Sequence, residues 1–133
     1  KMLKLTRKTE YALIALRFLQ LKSEKQPATA REIAEIEHIP LSILSKVLQH
    51  LSKEKIIETV KGAHGGYQLS VELKSINLWK FLEIMEGPLG LVDCLQNTQC
   101  DQEDSCSIQT PISKINHTVK NVFNNLSVLD VTV

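Results

Sequence analysis

The sequence predicts a mostly α-helical fold with a small β-hairpin wing, a winged helix-turn-helix followed by a long C-terminal dimerisation helix. Three observations carry that prediction. Apolar side chains recur at helical spacing through five segments. A single β-branched run, Ile56 to Val60, is followed by a glycine-rich turn and a second short run. The chain has 133 residues, is 43% hydrophobic and contains only five Gly and four Pro, which suits one compact domain and excludes collagen-like or largely disordered chains.

The elements follow in order. From Thr6 to about Ser23, Tyr11 to Leu16, Phe18, Leu19 and Leu21 cover almost the whole circumference of a helix, so it is expected to be buried on several sides. Lys1, ahead of Met2, reads as a vector-derived remnant and is left out of the fold. Lys22 to Pro27 form a polar turn. Thr29-Ala-Arg-Glu32 then has the spacing of a capping box, opening a short helix with Ile33, Ala34 and Ile36 inward. His38-Ile39-Pro40 ends that segment, because Pro40 disfavours helix at the residue before it. Ser42 suits an N-cap, after which Ile43, Leu44, Val47, Leu48 and Leu51 repeat at helical spacing to about Glu54, with Ile43, Leu44, Val47 and Leu48 expected inward. The product is helix, tight turn, helix. Ile56 to Val60, Gly62-Ala63-His64-Gly65-Gly66 and Tyr67 to Leu69 make the hairpin. Ser75 to Glu86 is a further amphipathic helix stopped by Gly87-Pro88. Thr110-Pro111 has N-cap and N1 character and opens a long helix with Ile112, Ile115, Val119, Val122, Phe123, Leu126 and Leu129 on one stripe. A stripe that long needs cover, which is expected from both the first helix and the same helix of a second subunit about a two-fold axis. The expected organisation is a DNA-binding domain over residues 1–74, a linking helix over 75–92, a cysteine loop over 93–109 and a dimerisation helix over 110–133.

Charge is divided along the chain. Residues 1–66 carry twelve Lys/Arg against seven Asp/Glu, and residues 67–133 carry four against eight, so a net charge of +1 hides a basic half suited to a polyanion. In a winged helix-turn-helix the third helix enters the major groove and the hairpin tip reaches the backbone or minor groove. That places Ser42, Ser45, Lys46 and Gln49 on the groove-facing side, where each can hydrogen-bond base edges or phosphates. Thr29 and Arg31 stand at a helix N-terminus whose free amides suit a phosphate. Lys61 and His64 flank glycines, Gly65 among them, that let the wing approach a groove.

Cys94, Cys100 and Cys106 stand at two equal spacings of six in a polar stretch without helical or strand periodicity. Three thiols is an odd number for a disulfide framework, and buried structural cysteines sit among aliphatic residues, so this cluster favours metal ligation.

The opening Leu5-Thr6-Arg7-Lys8-Thr9-Glu10-Tyr11-Ala12, the segment Ile33-Ala34 through Ile39-Pro40-Leu41-Ser42, the wing Val60-Lys61-Gly62-Ala63-His64-Gly65-Gly66-Tyr67 and the evenly spaced cysteines resemble the Rrf-two (Rrf2) family of bacterial transcription regulators over nearly the whole chain. The resemblance implies a homodimer with crossing C-terminal helices that binds a pseudo-palindromic operator in double-stranded DNA, as a repressor. It implies a [2Fe-2S] or [4Fe-4S] iron-sulfur cluster held by Cys94, Cys100 and Cys106, sensing iron-sulfur status, nitric oxide or redox state. In one branch of the family a His three residues after the last cysteine completes the ligand set; here that position is Gln109, a poor ligand for iron. In the nitric-oxide-sensing branch a carboxylate from the partner's first helix does so, and the matching residue is Glu10.

Other readings stay open on the residues alone. His117 with the three thiols would make a structural Cys₃His zinc site. A thiol could answer directly to oxidants. A winged helix could serve as a protein-interaction module. No nucleophile-base pairing, phosphate-binding glycine loop or HExxH motif is present, so an enzyme is not expected. The longest early apolar run, Tyr11 to Leu16, is too short for a spanning helix or a signal peptide, so the expected location is the cytoplasm and no membrane partner is expected.

Overall fold

The computed structural model describes residues 5–22, 26–87 and 109–132. Helix α1 (Arg7–Leu21) opens at Thr6, whose hydroxyl accepts from the Thr9 amide. Helices α2 (Ala30–Glu37) and α3 (Leu41–Lys53) follow, then strands β1 (Ile57–Val60) and β2 (Gly66–Leu69). A short 3₁₀ turn at Leu73–Ser75 precedes α4 (Leu78–Glu86), and the described chain closes with α5 (Gln109–Asn124) and α6 (Val128–Thr132).

One apolar core unites these elements. Leu16 of α1, Ile33 of α2, Leu44, Leu48 and Leu51 of α3, Ile57 of β1, Phe81 of α4 and Val128 of α6 are almost fully buried in the same cluster. α1 lies at its centre, against α2, α3, β2, α4 and α6, which accounts for its nearly all-round apolar surface. The strands pair antiparallel from Ile57 opposite Leu69 to Val60 opposite Gly66. A third strip of backbone joins them: Ala28 and Tyr67 exchange amide hydrogen bonds of 2.9 and 2.7 Å, so the expected polar turn before α2 ends as an edge of the wing.

Several local expectations are corrected. α2 ends within the expected His38-Ile39-Pro40 stop, at His38, which lies in the left-handed region at φ 56° and whose amide donates to the Ala34 carbonyl. α3 begins at Leu41 with Pro40 as its N-cap, so Ser42 lies within the first turn and caps nothing. Ile36 and Ile43, expected inward, are 56% and 41% exposed. The long C-terminal helix starts at Gln109, ahead of Thr110-Pro111, and breaks after Asn124. A reciprocal capping box restarts it as α6, the Asp130 carboxylate accepting from the Ser127 amide at 2.8 Å and the Ser127 hydroxyl from the Asp130 amide at 3.3 Å. Leu129 therefore belongs to α6 and not to the α5 stripe. Intrachain cover for the C-terminal segment comes from α4 along α5, with Phe123 against Trp79 at 6.0 Å between ring centres, and from the expected first helix along α6.

Both ends of the described chain are tied to the α4 region. Leu78 donates to the Leu126 carbonyl and Val128 to the Ile76 carbonyl, each at 2.9 Å. The Glu86 carboxylate at the end of α4 accepts from the Thr6 amide at 3.0 Å, from the Thr6 hydroxyl at 2.8 Å and from the Thr9 hydroxyl. Thr9 is fully buried, so its hydroxyl needs that acceptor.

Candidate nucleic-acid interface

α3 sorts its side chains by face. Leu44, Val47, Leu48 and Leu51 fill the core side, while Ser42, Lys46 and Gln49 are exposed and Ser45 is half-exposed. Ser42, Lys46 and Gln49 fall at intervals of four and three, which stacks them along one helix face. Lys53, outside the set of contacts expected from sequence, extends that stripe by another turn and is also exposed; its spacing of four from Gln49 is the signal that reaches it. α3 contains no acidic residue, so the stripe offers hydroxyl, amide and ammonium groups alone to a polyanion.

The wing and the start of α2 form a second surface. Thr29, Glu32, Lys61, His64 and Gly65 line one groove between them, so four residues selected from sequence meet there. Thr29 is the N-cap of α2, its hydroxyl accepting from the Glu32 amide at 3.0 Å. The reciprocal half of the capping box is missing, because the Glu32 carboxylate pairs with Lys22 Nζ at 2.5 Å. Lys61 and His64 are exposed at the wing tip, and Arg31 is exposed on the first turn of α2.

The glycines divide the work differently from the sequence reading. A Cβ on Gly65 would stand 2.2 Å from the Val60 carbonyl oxygen, so this residue closes the wing turn on itself; its amide donates to Gly62 at 3.0 Å. Gly66, at φ +148°, is the point of close approach: a Cβ there would lie 2.5 Å from the Ala28 oxygen and 3.0 Å from the Thr29 nitrogen. Only glycine lets β2 lie directly on the backbone that leads into α2.

Of the residues expected to hold metal, Glu10 is exposed on the first turn of α1, one residue beyond Thr9. Cys94, Cys100 and Cys106 lie outside the described residues. Among the described residues no cluster of His, Cys, Asp and Glu could hold an ion, and His117 stands exposed on α5. No helix among them is long and apolar enough to cross a membrane.

Comparison with known proteins gives a consistent picture. A regulator of the helix-turn-helix type named NsrR, from Oceanobacillus iheyensis, is 32% identical over 108 residues, covering 80% of this chain and 74% of its own length. IscR from Vibrio vulnificus is 26% identical over 94% of this chain and 74% of its own. In fold, the chain superposes on CymR, the global cysteine regulator of B. subtilis, with a TM-score of 0.78 at 24% identity, over 98% of this chain and 97% of that one. These proteins are winged-helix transcriptional regulators and not enzymes. Residues 5–133 match the profile of Rrf2, described as an iron-dependent transcriptional regulator, and the chain belongs to the Rrf2 family of transcriptional regulators.

Proposed function

We propose that this chain is a homodimeric repressor that binds a pseudo-palindromic operator through α3 and the wing, under control of an iron-sulfur cluster. The observation that carries the DNA-binding part is the polar, acid-free stripe of α3, accompanied by Thr29, Lys61 and His64 around one groove. Lys46 and Gln49 would face base edges, while Lys61, Arg31 and the Thr29 end of α2 would contact phosphates. Fluorescence anisotropy with duplex DNA tests this. Affinity should fall steeply with salt, and Lys61→Ala should reduce the slope of log K against log salt by about one. A salt-independent interaction, or none, would support a protein-interaction module instead.

For the sensor, the donor chemistry fits a cluster: three thiols at even spacing and an exposed carboxylate at Glu10, within a family described as iron-dependent. Cys94, Cys100 and Cys106 would hold it, with Glu10 of the partner subunit as fourth ligand. When bound, such a cluster supplies a centre that oxygen, nitric oxide or iron scarcity can alter. The rest is done by the polypeptide. Glu10 adjoins Thr9, whose hydroxyl is tied to Glu86, and α1 packs along α3. A pull on Glu10 across the dimer would therefore act on the helix that supports α3, and two α3 helices must match the spacing of two half-sites.

The exposed Ile115 and Val122 of α5, at 52% and 53%, supply the apolar surface for the second subunit. The decisive measurement is an anaerobic visible spectrum with iron and sulfide assay on freshly purified protein. Stoichiometric iron and sulfide would support the cluster, and Glu10→Ala should then weaken cluster retention and the cluster-dependent change in DNA affinity. A colourless protein after anaerobic reconstitution would leave a regulator whose cysteines hold zinc or react with oxidants.

A further inference from the structure

Ile43 is 41% exposed on the first turn of α3, on the helix that carries Ser42, Lys46 and Gln49. At roughly 100° per residue it falls about 60° from Lys46 around the helix axis, at the margin of the polar stripe and not behind it. Leu41, 37% exposed, occupies the opposite margin. The first turn thus presents one hydroxyl between two branched hydrocarbons. Single exposed apolar residues are ordinary on protein surfaces. These two, however, sit on the turn that the proposed placement of α3 sets against base edges, in a helix without acidic residues and beside a lysine.

In the major groove, bases offer donors and acceptors with one apolar exception, the C5-methyl group of thymine. A serine hydroxyl, which both donates and accepts, discriminates poorly among bases. An isoleucine beside it does discriminate, because only a thymine lets it leave water. We infer that Ile43 is a specificity-determining residue that reads a thymine methyl in each operator half-site, next to the base pair faced by Lys46. The inference rests on the placement of α3 in the major groove proposed above.

The test separates the two. Duplexes are selected from a random pool by the full chain, and each thymine is replaced in turn by deoxyuridine, which removes the methyl and leaves every hydrogen-bonding group in place. One thymine per half-site should show a three- to five-fold loss of affinity, the worth of one buried methyl group. Ile43→Ala should bind the thymine and deoxyuridine duplexes equally while keeping the parent's salt slope, and Ile43→Val should restore most of the difference. Because the side chain contributes little to the core, the variants should melt with the parent. If no thymine is sensitive to deoxyuridine, or if Ile43→Ala keeps the parent's preference for thymine, the inference falls and the DNA-binding reading stands. If no duplex is enriched, both fall together.

Discussion

At the residue scale, Glu86 and Gly66 carry more than their neighbours, and the sequence marked neither for the role it plays. Glu86 takes hydrogen bonds from Thr6 and Thr9 across a separation of 80 and 77 residues, a distance at which no spacing rule operates. Removing the carboxylate in Glu86→Ala leaves the fully buried Thr9 hydroxyl without its acceptor, so a loss of about 1–3 kcal/mol is expected in urea unfolding. Glu86→Gln keeps a carbonyl oxygen there and should lose less. Gly66 was legible as part of a turn, but not as a contact with Ala28, because close approach of two backbones leaves no trace in periodicity. Gly66→Ala sets a Cβ against fixed backbone at a positive φ. A destabilisation of more than about 1 kcal/mol should appear as a lowered melting temperature. Loosening of the wing should also lower DNA affinity.

At the element scale, the helix-turn-helix and the hairpin were legible because each rests on a local code. Leu44, Val47, Leu48 and Leu51 repeat at helical spacing and are all buried, and the Thr29 cap forms as its motif suggested. Thr29→Ala should therefore cost about 1 kcal/mol of stability in chemical denaturation, the usual value of an N-cap. What failed to be legible was the edge of each face. Residue type points Ile36 and Ile43 inward, whereas position around the helix places them outward. The break between α5 and α6 did have a signal, Ser127 three residues before Asp130, but the continuing apolar stripe through Leu126 and Leu129 masked it. The candidate DNA contacts were legible as exposed polar positions on known elements. Lys53 lies on the same face one turn beyond Gln49, where the same periodicity reaches it.

At the scale of the whole molecule, the core does not divide where the chain does. Phe81 and Val128 are fully buried in the cluster that holds Leu16 and Leu48. A fragment ending at residue 74 would expose the side of α1 that faces α4 and α6, so it should show no cooperative thermal transition by circular dichroism, in contrast to the full chain. Association should depend on α5. Ile115→Glu combined with Val122→Glu places charge on two exposed apolar positions and should give a monomer in sedimentation velocity, with secondary structure retained and operator affinity lost.

The backbone bonds that join residues 76 and 78 to residues 126 and 128 also set a timetable for synthesis. While a nascent chain still holds residue 128 inside the ribosome, α1, α2 and α3 can be complete and yet lack Val128, one of the side chains that closes their common core. α3 therefore reaches its supported position only after residue 128 has emerged. A nonsense lesion at codon 127 would accordingly act as a core deletion, leaving a product for chaperones and proteases.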